Sequence, residues 1–180
     1  MKKQLLILAV IFISTASLGQ EVQKQEKVLS KAEQFSARSG TLIQKEYLKI
    51  GEVGTLSHLS VEVCYYKDLS TNEKINALVI KRESVRYLYT AYFDSDEIDE
   101  LIKLIKFIKG NICPTMPSNY TEIIYKNKRD FSLICIWGEE KNKWSIKGYI
   151  DKYISDSVYF LGIKDLDLLE SLLEQAKTKL

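Results

Sequence analysis

Two hydrophobic periods succeed each other along the chain, and then succeed each other again. From Thr41 to Phe93 apolar side chains recur at every second residue; from Asp94 to Gly110 they recur at every third or fourth. The same order returns between Tyr120 and Leu180. Period two marks a strand with one face toward a core, and the longer period marks a helix with one apolar stripe. In "LSVEVCYY", Leu59, Val61, Val63 and Tyr65 share one face, while Ser60, Glu62, Cys64 and Tyr66 share the other. "TLIQKEYLKI", leading to Gly51 and Gly54, reads as a strand before it. "KDLSTNEK" is a polar turn, and "NALVIKRE" and "VRYLYTAYF" are two more strands, rich in β-branched and aromatic residues. Ahead of them, Val22, Leu29, Ala32 and Phe35 are spaced for a short helix ending at Gly40.

The acidic run that opens "DSDEIDELIKLIKFIKG" admits two readings, a calcium loop or a helix start. An EF-hand loop needs oxygen ligands at positions 1, 3 and 5, Gly at 6 and Glu at 12. Counted from Asp94, Ile98, Asp99 and Ile105 fall where a ligand, the glycine and the glutamate belong. A helix accounts for the same residues. Asp94 and Glu97 have capping-box spacing, and the further acids sit at the positive end of the helix dipole. Ile98, Leu101, Ile102, Ile105 and Ile108 make one apolar face, and Gly110 is placed for a left-handed stop.

Both prolines of the chain, Pro114 and Pro117, fall in the next stretch. Beyond them "YTEIIYK", "FSLICIWG", "KWSIKGYI" and "DSVYFLG" read as four strands, and Leu166, Leu169, Leu172, Leu173 and Ala176 line one face of a final helix. "LSVEVCYY" parallels "FSLICIWG", and Ile98, Leu101, Leu104 and Ile105 parallel Leu166, Leu169, Leu172 and Leu173 at a constant offset. The chain is therefore read as α+β, with two similar β-β-β-β-α halves over 41–110 and 120–180, joined by the loop 111–119. Each half alone has a thin core. The expected solution is a two-layer domain: one shared antiparallel sheet, both long helices on one face, and a short N-terminal helix. "FSLICIW" is apolar on both faces, so that strand is expected to be interior.

"SGTLIQKEYLKIG", "FDSDEIDELIKLIKFI" and "PSNYTEI" resemble stretches of a family of small secreted or periplasmic proteins of Bacteroidetes. The resemblance implies no activity, cofactor or catalytic residue to carry over. Two similar halves also resemble TBP-like folds, as an analogy of architecture only, and fold does not give function.

The N-terminus, "MKKQLLILAVIFISTASLGQE", changes the picture of charge and place. Lys2 and Lys3 precede an unbroken apolar run from Leu5 to Ile13, and Ser17 and Gly19 stand at the spacing of a signal-peptidase site. The run is shorter than the roughly 20 residues of a membrane span. Residues 1–19 are therefore expected to be a signal peptide, cleaved between Gly19 and Gln20, leaving 20–180 as a single exported domain. Periplasmic or secreted localisation in a Gram-negative bacterium follows. Cleavage removes two lysines and no acid, so the 26 basic and 24 acidic residues become 24 and 24. A chain of balanced charge lacks the cationic footprint that nucleic acid requires, and nothing after residue 19 spans a membrane.

Candidate chemistry is sparse. The single histidine, His58, shares strand parity with Cys64, but six residues of strand separate them by about 20 Å. A hydrolase built on His58 would need another cysteine or carboxylates brought to it by folding. No phosphate loop, nucleophile elbow or dinucleotide fingerprint occurs, and no ligand spacing suggests a metal, so no catalytic residue, metal or cofactor is assigned. Three cysteines, Cys64, Cys113 and Cys135, allow one internal bridge, with the pairing open. "NYT" (119–121) fits an N-glycosylation sequon, and "DSV" (156–158) resembles the Asp-Ser-aliphatic O-glycosylation motif of Bacteroidetes. Among eleven tyrosines several cluster in the first four strands. Tyrosine suits half-buried strands in its own right; on an uncovered sheet face Tyr66, Tyr87 and Tyr89 would form a contact surface. The expected function is thus non-enzymatic binding of a protein or glycan by that face, with a carrier of small apolar, lipid-like ligands as the alternative.

Overall fold

The computed structural model describes residues 28–55, 57–138 and 142–180. A short helix, α1 (Lys31–Ser36), is followed by β1 (Ile43–Val53), β2 (Leu59–Asp68), β3 (Lys74–Glu83), β4 (Leu88–Phe93) and α2 (Ser95–Phe107). The second half runs β5 (Thr121–Lys126), β6 (Ser132–Gly138), β7 (Lys143–Tyr149), β8 (Val158–Leu161) and α3 (Asp165–Lys177). Both halves are therefore β-β-β-β-α, as the alternating periods predict. Val22 lies outside the described residues, and α1 buries Ala32 and Phe35 of its expected face.

One expectation is corrected. The strands form two four-stranded antiparallel meanders, β1-β2-β3-β4 and β5-β6-β7-β8, rather than one shared sheet. A common core needs side-chain packing, not a continuous backbone ladder. One buried cluster draws on the inner faces of both sheets together with α2 and α3. Phe93 of the first sheet meets Phe131 edge-on at 5.1 Å, and Phe131 stacks on Tyr159 at 5.9 Å. β6 is interior, as expected, between β5 and β7.

The two inner faces match position by position. Leu59, Val61 and Val63 are buried in the first half, and Phe131, Leu133 and Cys135 in the second. Where they differ, volume is exchanged between neighbouring strands. Ile80 faces Ala91 across β3–β4, whereas Gly148 faces Tyr159 across β7–β8. The Tyr159 ring lies over Gly148, and its hydroxyl donates to the Ser132 carbonyl at 2.8 Å.

The helices end and begin as their side chains allow. The expected capping box forms, with Glu97 accepting from the Asp94 backbone N–H at 2.9 Å. The Asp94 carboxylate completes the box toward the Glu97 backbone and also accepts from the backbone N–H of Lys31 at the start of α1. Gly110 does not take the left-handed conformation, which among the described glycines occurs at Gly40 and Gly54. α2 runs instead into a π turn, Ile108–Ile112, that buries both of those isoleucines. α2 and α3 lie antiparallel, with Lys177 on Asp99 at 2.5 Å at one end and Lys109 on Asp167 at 2.5 Å at the other.

Candidate functional site

α1 covers part of the outer face of the first sheet, packing Ala32 and Phe35 against Cys64, Tyr66, Ala77 and Val79. Tyr66 is 1% exposed, and the Phe35 ring meets it edge-on at 6.4 Å. Burial first, and then the Cys64 thiol beside it, pushes the Tyr66 phenol far above its ordinary pKa. Tyr89 points to the inner core and is 8% exposed. Only Tyr87 is open, at 59% exposure on the β3–β4 hairpin. The expected trio of tyrosines is therefore no surface. Tyr66 and Tyr89 fall on opposite faces of the sheet, one beneath α1 and the other in the core shared with α2 and α3.

The open face belongs to the second sheet. Ile124, Ile134, Lys147 and Phe160 face one another across β5, β6, β7 and β8 in register, forming a row perpendicular to the strands. Strand alternation turns this row away from the core that receives Leu133, Cys135 and Trp137. Ile124 and Phe160 are 62% and 48% exposed. Ile136, Tyr149 and Val158, on the same side, are half-buried and belong to neither buried cluster.

Two grooves flank β8. One, of about 350 Å³, lies between the hairpin residues Arg82, Val85 and Arg86 and the stretch from Ser155 to Val158. The other, of about 620 Å³, lies where β8 ends, between Lys143–Ile146 of β7 and Phe160–Asp165. β8 pairs with β7 only over Ile146–Tyr149, so Lys143, Trp144 and Ser145 form a strand edge beside that groove. The rim is cationic. Arg86, Lys143, Lys147 and Lys164 have no ion-pair partner among the described residues. The Arg82 guanidinium donates to the Asp156 carbonyl.

His58 is exposed on the turn before β2. It makes no hydrogen bond among the described residues, and the nearby Glu52 carboxyl is held low chiefly by Lys49. No group of three or more His, Cys, Asp or Glu able to hold a metal occurs among the described residues. Ser157 of the "DSV" motif is fully buried. Its hydroxyl lies 2.7 Å from the carbonyls of both Asp151 and Ile154, so the folded chain offers no glycan acceptor there. Gly19 and Gln20 lie outside the described residues.

No family model matches the chain, and no curated protein matches its sequence. Sequence reasoning missed the Ile124–Ile134–Phe160 row because each residue reads as an ordinary strand position. The available signal was the two-sided apolarity of "FSLICIW", which was assigned wholly to burial.

Proposed function

We propose that the chain is an exported, non-enzymatic binding protein that uses the outer face of its second sheet to hold a protein partner. The observation that carries this reading is the asymmetry between otherwise similar halves. The outer face of the first sheet is partly roofed by α1, while the equivalent face of the second presents exposed Ile124 and Phe160 on either side of Ile134 and Lys147. Exposed apolar positions that are contiguous mark interaction sites more often than scattered ones do. The lysines and Arg86 around the row, unpaired among the described residues, favour a partner with an apolar centre and carboxylates at its edge. Export rests on the features of residues 1–19, and N-terminal sequencing of the protein from its host should begin at Gln20.

The binding test uses the host's envelope fraction. A partner is recovered by cross-linking to the folded protein, and its affinity is then measured for the wild type and two variants. Ile124→Ser combined with Phe160→Ser should weaken it at least about tenfold, since central apolar anchors carry most binding energy. Lys147→Glu should slow association most at low salt. The melting temperature should stay within a few degrees, because neither side chain contributes to the buried clusters. Unchanged affinity in both folded variants would refute the reading. Dimerisation of the protein alone, abolished by the same double variant, would assign the face to a second copy.

A further inference from the structure

We infer that Cys113 and Cys135 form a disulfide site that staples the loop between the two halves to the second sheet, leaving Cys64 as a thiol. The topology excludes the other pairings. Cys64 is buried on the outer face of the first sheet, beneath α1. Cys135 is buried in the main core on the inner face of the second sheet, and Cys113 packs against that same core. A layer of sheet separates Cys64 from both.

The remaining two are brought together by particular contacts. The π turn places Cys113 by a hydrogen bond from its N–H to the Ile108 carbonyl at 2.9 Å. Two residues on, the Thr115 carbonyl accepts from Trp144 Nε1 at 2.9 Å. Trp144 stands opposite Trp137, and Cys135 is two residues before Trp137 on the same strand and the same face. The loop bearing Cys113 is thus tied down on the patch of sheet that contains Cys135. The Cys113 thiol also adds to the burial that pushes the Cys135 thiol up to about 12. All three cysteines are free here.

Oxidation needs a small-molecule disulfide such as oxidised glutathione. The half-buried Cys113, as thiolate, attacks it and expels one glutathione thiol, leaving a mixed disulfide. Cys135, as thiolate, then attacks the Cys113 sulfur and expels the second. Two protein thiols are oxidised, one glutathione disulfide is reduced to two thiols, and the two cysteine protons pass to the thiols released. A thiolate is scarce well below its pKa, so closure in the folded protein is slow at neutral pH and quickens as pH rises. Closure during folding, before Cys135 is buried, escapes this restraint.

The test refolds the full chain in a glutathione redox buffer, traps free thiols with an alkylating agent in denaturant, and maps the peptides by mass spectrometry. One alkylated cysteine, Cys64, and one cross-linked pair, Cys113–Cys135, are expected. The oxidised form should melt about 5–10 °C higher than the reduced one. Cys64→Ala should retain the bridge. Cys113→Ser, at a half-buried position that tolerates a polar side chain, should abolish both the bridge and the melting shift. Three alkylated thiols after equilibration with oxidised glutathione, a bridge that includes Cys64, or dimers linked through Cys113 would each overturn the assignment. The outcome is independent of whether the open sheet face binds a partner.

Discussion

Gly148 shows how one missing side chain shapes the second half. A Cβ there would stand 2.2 Å from the Ser132 carbonyl oxygen and 2.3 Å from the Tyr159 ring, with backbone on one side and a fully buried phenol on the other. Neither can retreat, so Gly148→Ala should cost about 3 kcal/mol, measured as a lower urea midpoint with unchanged slope. Tyr159→Phe keeps the ring and removes its hydroxyl. It leaves one buried carbonyl of β6 without this donor and should cost about 1–3 kcal/mol. Gly51 contrasts with it. An added Cβ there meets the end of the flexible Leu172 side chain at 2.6 Å, which can move aside, so Gly51→Ala should be the milder of the two. None of this was legible in "KGYI" or "YLKIG". A glycine in a strand signals a close approach but does not say by what.

At the level of elements, the antiparallel helices are joined by a row of ion pairs. Lys106 reaches Glu174 at 2.8 Å, Lys109 reaches both Asp167 and Glu170, and Lys177 reaches Asp99. Lys177 holds the Asp99 carboxyl below its ordinary range. A depressed folded value means that its contribution is present above the unfolded value of about 3.9 and is lost as pH falls through the lower folded one. Asp167 and Glu170 hold Lys109 above its ordinary range. That contribution is present below the unfolded value of about 10.4 and is lost as pH rises through the higher folded one. Lys177→Met should therefore lower the melting temperature slightly at pH 7. The difference should close in strong acid and in about 1 M salt, where exposed pairs are screened. The acids opening α2 were legible as a dipole and capping pattern. That Asp99 also meets α3, and that the Asp94 carboxylate serves α1 as well as its own helix, depends on which elements fold beside them.

For the whole molecule, the shared core predicts one unfolding transition. Both tryptophans, Trp137 and Trp144, are 4% exposed in the second sheet, so their fluorescence reports that half alone. Far-ultraviolet circular dichroism reports the helices and strands of both. Because Phe93, Phe131 and Tyr159 join the halves ring to ring within one buried cluster, the two denaturation curves should coincide. A tryptophan curve displaced from the dichroism curve would show that the halves unfold separately.

The order of elements, their number and the core-facing residues of β2, α2 and α3 were determined by the sequence alone. Periods of two and of three to four are local properties, and burying one face of each element is the only way to satisfy them. The recurrence of "LSVEVCYY" as "FSLICIWG" likewise survives as matching buried positions. Tertiary structure decided everything that concerns the opposite faces. A strand's alternation says that two faces differ, not what covers either one. Tyr66 disappears under Phe35, residues apart in the chain and joined only by folding, while Ile124 and Phe160 stay open because no helix lies on their side among the described residues. The division of eight strands into two sheets was equally beyond reach, since hairpins specify neighbours within a meander and leave the meeting of two meanders to the shape of the core between them.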